Sequence, residues 1–360
     1  MASSDFKEAA EFLRSGKLVA FPTETVYGLG GNAYDSTASA RIYAAKGRPS
    51  DNPLIVHISS FTEIGPLVSD IPDEARALAD RFWPGPLTMI LNKSDRIPKE
   101  TTGGLDTVAI RMPSHPIANR LIKEAGIPIA APCANASGRP STTKAEHVIE
   151  DLDGKIDMII DGGSSDIGLE STIVDLTVKP ALILRPGYIT IEMLREVLSD
   201  IEYDKAVLKR IKDDSIVAKA PGMKYRHYAP KGELTIFEGG MEAVSEAICR
   251  EAEEKLKAGY TVGILTSDEL ASKYKELEHF PEGGRNTCVL SYDNGRLYIR
   301  DIGSRENENE IAAGLFDALR FFDEVKADFI YAEAFSEGGL GQAIMNRLMK
   351  AAGYHIVKVD

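Results

Sequence analysis

Apolar residues recur along the chain at two spacings, and the two spacings alternate. Short apolar runs bounded by turn formers predict strands over Lys17–Thr23, Pro53–Ile58, Leu87–Leu91, Val108–Met112, Ile127–Ala131, Met158–Asp161, Thr172–Leu176 and Ala181–Leu184. Helical spacing falls between several of them: Ser4–Arg14, Thr37–Ala45, Asp73–Phe82, Ile117–Ala125 and Ile191–Leu198. This spells an α/β (α+β) domain, residues 1–204, around a mixed sheet flanked by helices. So many short strands argue against a purely doubly wound fold. Over 205–231 the periodicity weakens, charge density rises, and Ala220-Pro221-Gly222 and Ala229-Pro230 punctuate the chain, which predicts a linker. The alternation restarts in 232–360. Strands are expected at Leu234–Phe237, Thr261–Thr266, Leu297–Asp301, Phe329–Ala334 and His355–Val359. Helices are expected at Met241–Lys257, Asp268–Tyr274, Glu310–Phe322 and Gln342–Ala352. Together they give a smaller Rossmann-like domain.

Length agrees with this division, since 360 residues at about 150 per domain make two or three domains. No apolar run reaches the roughly 18 residues that span a bilayer, so no membrane association is expected. The segment from Met1 to Lys17 lacks an apolar signal core. Three scattered cysteines, Cys133, Cys249 and Cys288, fit neither a disulfide framework nor paired zinc ligands, which points to a reducing, cytoplasmic setting. Net charge is −13, distributed as −9 over 1–204, +6 over 205–231 and −10 over 232–360. Two acidic bodies joined by a basic segment disfavour a broad nucleic-acid face but leave room for one compact anion.

Six clusters could hold such an anion. Phe21-Pro22-Thr23-Glu24-Thr25-Val26-Tyr27-Gly28 to Gly31 follows a strand, where α/β ligands collect, and is equally readable as a plain strand–turn connection. Lys46-Gly47-Arg48-Pro49-Ser50-Asp51-Asn52-Pro53 closes a helix and leads to the strand carrying His57. Its cations could cap the helix dipole, but a proline-stiffened anion clamp is favoured. His57 by itself reads as a core histidine bonded to the backbone. Thr107 to Pro113 places Arg111 inside an apolar strand, where it needs either a structural carboxylate or an anionic ligand. Ala130 to Ser141 is a run of small residues that lets a ligand approach backbone and hydroxyls. Its Cys133 has no His–Asp partner at a distinctive spacing, so nucleophilic catalysis is not expected. Gly168 to Asp175 and Leu184-Arg185-Pro186-Gly187 add Ser171 and a second strand-end arginine. Ala220 to Pro230 interleaves Tyr225, His227 and Tyr228 with cations, as a solvated tether or as a lid over a nucleotide. No Gly-x4-Gly-Lys-Ser/Thr loop and no kinase signature occur, so a nucleotide would be held by scattered side chains.

Taken in order, these clusters resemble the two-domain form of the threonylcarbamoyl-AMP synthase family. The resemblance rests on Pro22 to Leu29, Lys46-Gly47-Arg48-Pro49, Asn52-Pro53-Leu54, Ala134 to Gly138, Ser171 to Asp175, Arg185-Pro186-Gly187, and the linker from Pro221-Gly222-Met223 to His227-Tyr228-Ala229-Pro230. Gly339 to Leu348 resembles the signature of the second domain. The resemblance covers essentially the whole chain. It implies a YrdC-like twisted mixed sheet followed by a C-terminal Rossmann-like domain. It further implies that L-threonine, bicarbonate and ATP give threonylcarbamoyl-adenylate and pyrophosphate, with Mg²⁺ accompanying ATP. The product would feed N6-threonylcarbamoylation of tRNA adenosine 37, completed by a separate transferase complex, with at most weak direct tRNA binding here. By the family pattern Thr25, His57, Arg111, Ala131 and Ser171 would hold threonine. Lys46, Arg48, Asn52, Thr107, Cys133, Ser141 and Arg185 would hold ATP, with Lys46 and Arg48 also aiding catalysis, and Tyr225 or Tyr228 would close over the nucleotide. Cys133 departs from the family's usual serine, and a thiol is a weaker donor. Two other readings are a carbamoyl-adenylate enzyme of the hydrogenase-maturation type, which would bring paired zinc-binding cysteines, and an RNA-binding module of the same fold, which the charge of residues 1–204 disfavours.

Overall fold

The computed structural model describes residues 3–208, 220–221, 227–275, 287–292 and 295–360. The chain forms two compact units: residues 1–137 with 141–225, and 138–140 with 226–360. In the first, α1 (Ser3–Arg14), β1 (Val19–Phe21), β2 (Gly28–Asn32), α2 (Ser36–Lys46), β3 (Ile55–His57), α3 (Asp73–Phe82), β4 (Leu87–Asn92) and β5 (Thr107–Arg111) come in order. Then follow α4 (Pro116–Ala125), β6 (Ile129–Ala130), α5 (Ala145–Leu152), β7 (Met158–Ile159), β8 (Thr172–Asp175), β9 (Ala181–Arg185), α6 (Ile191–Arg195), β10 (Ile201–Tyr203) and α7 (Lys205–Leu208). Among the described residues they make a ten-stranded mixed sheet in the order β10-β9-β8-β4-β5-β3-β6-β2-β1-β7.

The helix ends follow from local chemistry. Asp35 caps α2 by accepting from Thr37 N, and Gly47 closes it in the left-handed region at φ 61°, donating to the carbonyls of Tyr43 and Ala44. Pro116 opens α4 and Gly126 ends it in the same left-handed way. One sheet face carries Leu18, Val56, Met89, Ile110 and Val174 against Ile42 of α2, Leu78 of α3 and Val148 of α5. On the other face α1 and α4 cover only the β1, β2 and β6 side, through Phe6, Leu13, Leu121 and Ile122 on Val19, Phe21 and Ile129. The rest of that face, with Ile55, Ile90, Ala109, Ile173 and Leu184, is met by Ala220, which is fully buried there.

Five of the helices and strands among the described residues escape the sequence reading: β2, α5, β10, α7 and β13 (below). Gly-Leu-Gly-Gly reads as a turn because glycine is a poor strand former. Here it is a strand because nothing larger fits: a Cβ on Gly30 would lie 2.8 Å from the Phe21 ring and 2.9 Å from Ile129 Cγ2.

The second unit contains β11 (Glu233–Glu238), α8 (Met241–Lys257), β12 (Thr261–Thr266), α9 (Asp268–Lys275), β13 (Thr287–Tyr292), β14 (Gly295–Asp301), α10 (Glu308–Glu324), β15 (Phe329–Glu333), α11 (Gly341–Ala351) and β16 (Ile356–Lys358). Its sheet runs β13-β14-β12-β15-β11-β16, parallel except where β13 meets β14. That is the Rossmann-like arrangement expected, with an added antiparallel edge. No helix among the described residues is long and apolar enough to cross a membrane.

Candidate active site

Side chains alternate between faces along a strand, so partners across a ladder share a face. His57 of β3 pairs with Arg111 of β5, Arg111 with Thr88 of β4, Thr88 with Ile173 of β8, and Ile173 with Arg185 of β9. One row across five strands therefore holds a histidine, two arginines and a threonine on the face that α1 and α4 leave open. Ser171, two residues before Ile173, adds a hydroxyl just ahead of β8. It shares a hydrogen bond with Thr88 Oγ1 at 2.8 Å and accepts from Arg185 Nη2 at 3.1 Å, while Arg185 Nε donates to the Ser171 carbonyl.

The turn after β1 supplies the next wall. Thr23 Oγ1 donates to the Val26 carbonyl at 2.6 Å and accepts from the Thr25 amide, which folds the turn back on itself. Thr25 Oγ1 thereby meets Arg111 Nη1 at 2.8 Å. Glu24, absent from the sequence-derived site, points at the same arginine: its Oε1 lies 2.7 Å from Arg111 Nη2 and accepts from Ser114 N. Both alternatives for Arg111 now have a basis, since it has a buried carboxylate partner and also faces a pocket. Burial pushes the Glu24 carboxyl up, but the Arg111 guanidinium and nearby hydrogen bonds outweigh it and hold the group below the usual carboxylate range.

His57 is buried, with Nδ1 3.1 Å from the Ile55 carbonyl and its ring edge-on to Phe21. The backbone bond is the one expected of a core histidine, yet the ring also lines the pocket. Burial first, and then the Arg111 cation, push its pKa down to about 3, so the ring is neutral at physiological pH. Below the free value near 6.5 the unfolded chain binds a proton that the folded chain refuses. Stability should fall as pH drops from about 6.5 toward 3, at up to about 1.4 kcal/mol per pH unit. Urea unfolding at pH 7, 6 and 5 checks this: His57→Asn should flatten the slope, and an equal slope in both proteins would refute it.

Small residues bring the loop after β6 close. Leu29 N donates to the Pro132 carbonyl and Ala134 N to the Tyr27 carbonyl, both at 2.8 Å, so residues 132–134 run beside β2. Lys46, buried at the end of α2, does not sit over its own helix carbonyls. Its ammonium donates across to the carbonyls of Cys133, at 2.6 Å, and Asn135. Ser141 Oγ donates to Glu170 Oε1 at 2.5 Å, and the Cys133 thiol lies 3.9 Å from the same oxygen. Burial, then Glu170, push the Cys133 thiol up, which keeps it protonated and unsuited to nucleophilic attack. Arg48 binds its own loop, donating to the carbonyls of Asn52 and Pro53, while buried Asn52 Oδ1 has no hydrogen-bond partner.

Thr25, His57, Arg111, Ala131, Cys133, Ser171 and Arg185 thus line one pocket, together with Glu170. Lys46 and Ser141 stand behind its Cys133 wall, and Arg48 and Asn52 stand on the adjoining loop. Thr107 lies at the start of β5, half-buried, on the Arg111 face. Tyr228 is in the second unit, its ring 5.2 Å from Phe316 and beneath the Arg347 guanidinium. Tyr225 lies outside the described residues. Glu24 and Glu170 were missed although both stand inside the quoted clusters. Their signal was a carboxylate in a stretch otherwise made of small, apolar and hydroxyl residues.

Comparison with known proteins agrees with this architecture. Residues 11–187 match the family model described as telomere recombination (Sua5/YciO/YrdC), and 189–353 match that of the threonylcarbamoyl-AMP synthase C-terminal domain. Threonylcarbamoyl-AMP synthase of Pyrococcus abyssi is 50% identical, over 98% of this chain and 95% of its own. The Bacillus subtilis enzyme of that name is 48% identical, over 98% and 94%. A crystal structure of Pyrococcus abyssi Sua5 complexed with L-threonine superposes with a TM-score of 0.88 at 47% identity, covering 100% of this chain and 97% of that one. The chain belongs to the threonylcarbamoyl-AMP synthase family.

Proposed function

We propose that the chain condenses L-threonine, bicarbonate and ATP into threonylcarbamoyl-AMP and pyrophosphate, supplying the donor for N6-threonylcarbamoylation of tRNA adenosine 37 by other proteins. The observation that carries this is the buried row His57–Arg111–Thr88–Ile173–Arg185, flanked by Thr25 and Ser171. The Arg111 guanidinium suits an amino-acid carboxylate as a fork. Thr25, Ser171 and neutral His57 offer hydrogen bonds to the amine and hydroxyl, and Ala131 leaves room for close approach. At the other side, Lys46, Arg185, Arg48, Asn52, Thr107, Cys133 and Ser141 would hold ATP. Arg111 and Thr107 are four residues apart on β5, about 13 Å along the strand, a span suited to substrates laid end to end.

No protein nucleophile is needed. The threonine nitrogen attacks the bicarbonate-derived carbon and loses its proton, giving a carbamate and water. A carbamate oxygen then attacks the α-phosphorus while the bond to pyrophosphate breaks. Lys46, Arg48 and Arg185 offset the charge that builds on the phosphates. Catalysis is then positioning and water exclusion, which also protects a labile mixed anhydride. Mg²⁺ bound mainly by phosphate oxygens and water would neutralise the triphosphate, and the unpartnered Asn52 Oδ1 is a hard oxygen that could join it. Ala220 is buried on the sheet face beside the row.

Pyrophosphate release tests the proposal. It should require ATP, threonine and bicarbonate together. Release without threonine would assign another acceptor or simple nucleotide hydrolysis, and release without bicarbonate would exclude the carbamate route.

A further inference from the structure

The second unit includes three residues, Gly138–Pro140, that interrupt the first unit's sequence between Ser137 and Ser141. Within the second unit this turn is gripped three times. Arg320 of α10, fully buried, donates from Nη2 to the Pro140 carbonyl at 2.6 Å. The Arg139 guanidinium lies 3.3 Å from Asp323 Oδ2, one helical turn along α10, and the other Asp323 oxygen accepts from Lys231 N at 2.6 Å. Ala229 N donates to the Gly138 carbonyl at 2.9 Å. Gly138 itself sits at φ 88°, a backbone conformation glycine adopts without strain.

Close along the chain on both sides are residues of the candidate site. Ser141 donates to Glu170, and its neighbour Thr142 accepts at its carbonyl from Tyr27 N. Before the turn, Ser137 N donates to the Lys46 carbonyl, and the carbonyls of Cys133 and Asn135 receive the Lys46 ammonium. The gripped Pro140 carbonyl carbon is bonded directly to Ser141 N in one planar peptide unit, so little slack separates the two.

We propose that Arg320 and Asp323 are positioning residues for the nucleotide side of the reaction. By holding the Gly138–Pro140 turn they set Ser141 and the carbonyls that orient Lys46. This rests on assigning Ser141 and Lys46 to ATP.

The test is steady-state pyrophosphate release by the full chain, varying ATP at saturating threonine and then the reverse. Arg320→Met should raise the KM for ATP about tenfold, the scale of one lost charge-assisted hydrogen bond, with the KM for threonine changed less than about twofold. Arg320→Lys should recover most of the loss. An unchanged KM for ATP in folded Arg320→Met, or equal rises in both constants, would overturn the proposal. If thermal melting shows that Arg320→Met does not fold, Arg139→Ala, at a partly exposed position, decides by the same criteria. Ser141→Ala separates the two layers. A normal KM for ATP in that variant would remove the nucleotide assignment, and the proposal with it. A raised one, with no effect of Arg320→Met, would remove the positioning role alone.

Discussion

Arg111→Ala should abolish measurable synthase activity and also loosen the fold. The arginine is buried against Glu24, and removing one member of a buried pair leaves the other charge uncompensated, at a cost of about 3–5 kcal/mol. In catalysis the loss of a carboxylate fork should lower kcat/KM for threonine by about 10³-fold, roughly 4 kcal/mol of transition-state binding. A double-mutant cycle separates the effects. Glu24→Gln with Arg111→Met removes both charges and should recover most of the stability lost in either single variant, yet none of the activity. Chemical denaturation and pyrophosphate release read out the two halves. Recovered activity in the double variant would show that Arg111 serves the fold alone.

Lys46→Met should leave the chain folded and depress turnover. The ammonium ties the end of α2 to the carbonyls of Cys133 and Asn135, so its loss frees the loop that walls the pocket and deletes a buried cation. Removal of one preorganised electrostatic donor lowers kcat by about 10²–10³-fold. The drop should appear with ATP saturating as well as limiting, because charge builds on the phosphates in the transition state. A change in the KM for ATP with normal kcat would reduce Lys46 to a ground-state binding contact.

Much of this was legible in the sequence, and the reasons differ by residue. Arg111 announced itself as a charge inside an apolar strand, and period-two alternation places His57 and Arg111 on definable faces. What periodicity cannot supply is which strands are neighbours. The Arg111–Glu24 pair spans 87 positions, and the Ser171–Thr88 hydrogen bond spans 83. The sheet order, with β4 next to β8, brings Ser171 to Thr88, and the turn after β1 brings Glu24 to Arg111. Strand β2 was hidden by the glycines that let Phe21 and Ile129 close over it. The sequence favours an anion clamp at Lys46 over a helix-end cation, and the structure shows its ammonium on the carbonyls of Cys133 and Asn135. Its partners were invisible because they are backbone carbonyls, which carry no sequence signature.

The polar row across five strands has a kinetic consequence. Its members come from positions 57, 88, 111, 173 and 185, so no contiguous stretch of chain contains the candidate site. Contacts of such high contact order form late, after the entropy of closing long loops has been overcome. During synthesis the pocket cannot exist until Arg185 has left the ribosome and β9 has paired with β8, by which point half of the polypeptide has been made. Formation of the site therefore reports on the pairing of β3, β5, β4, β8 and β9, the five strands that carry the row.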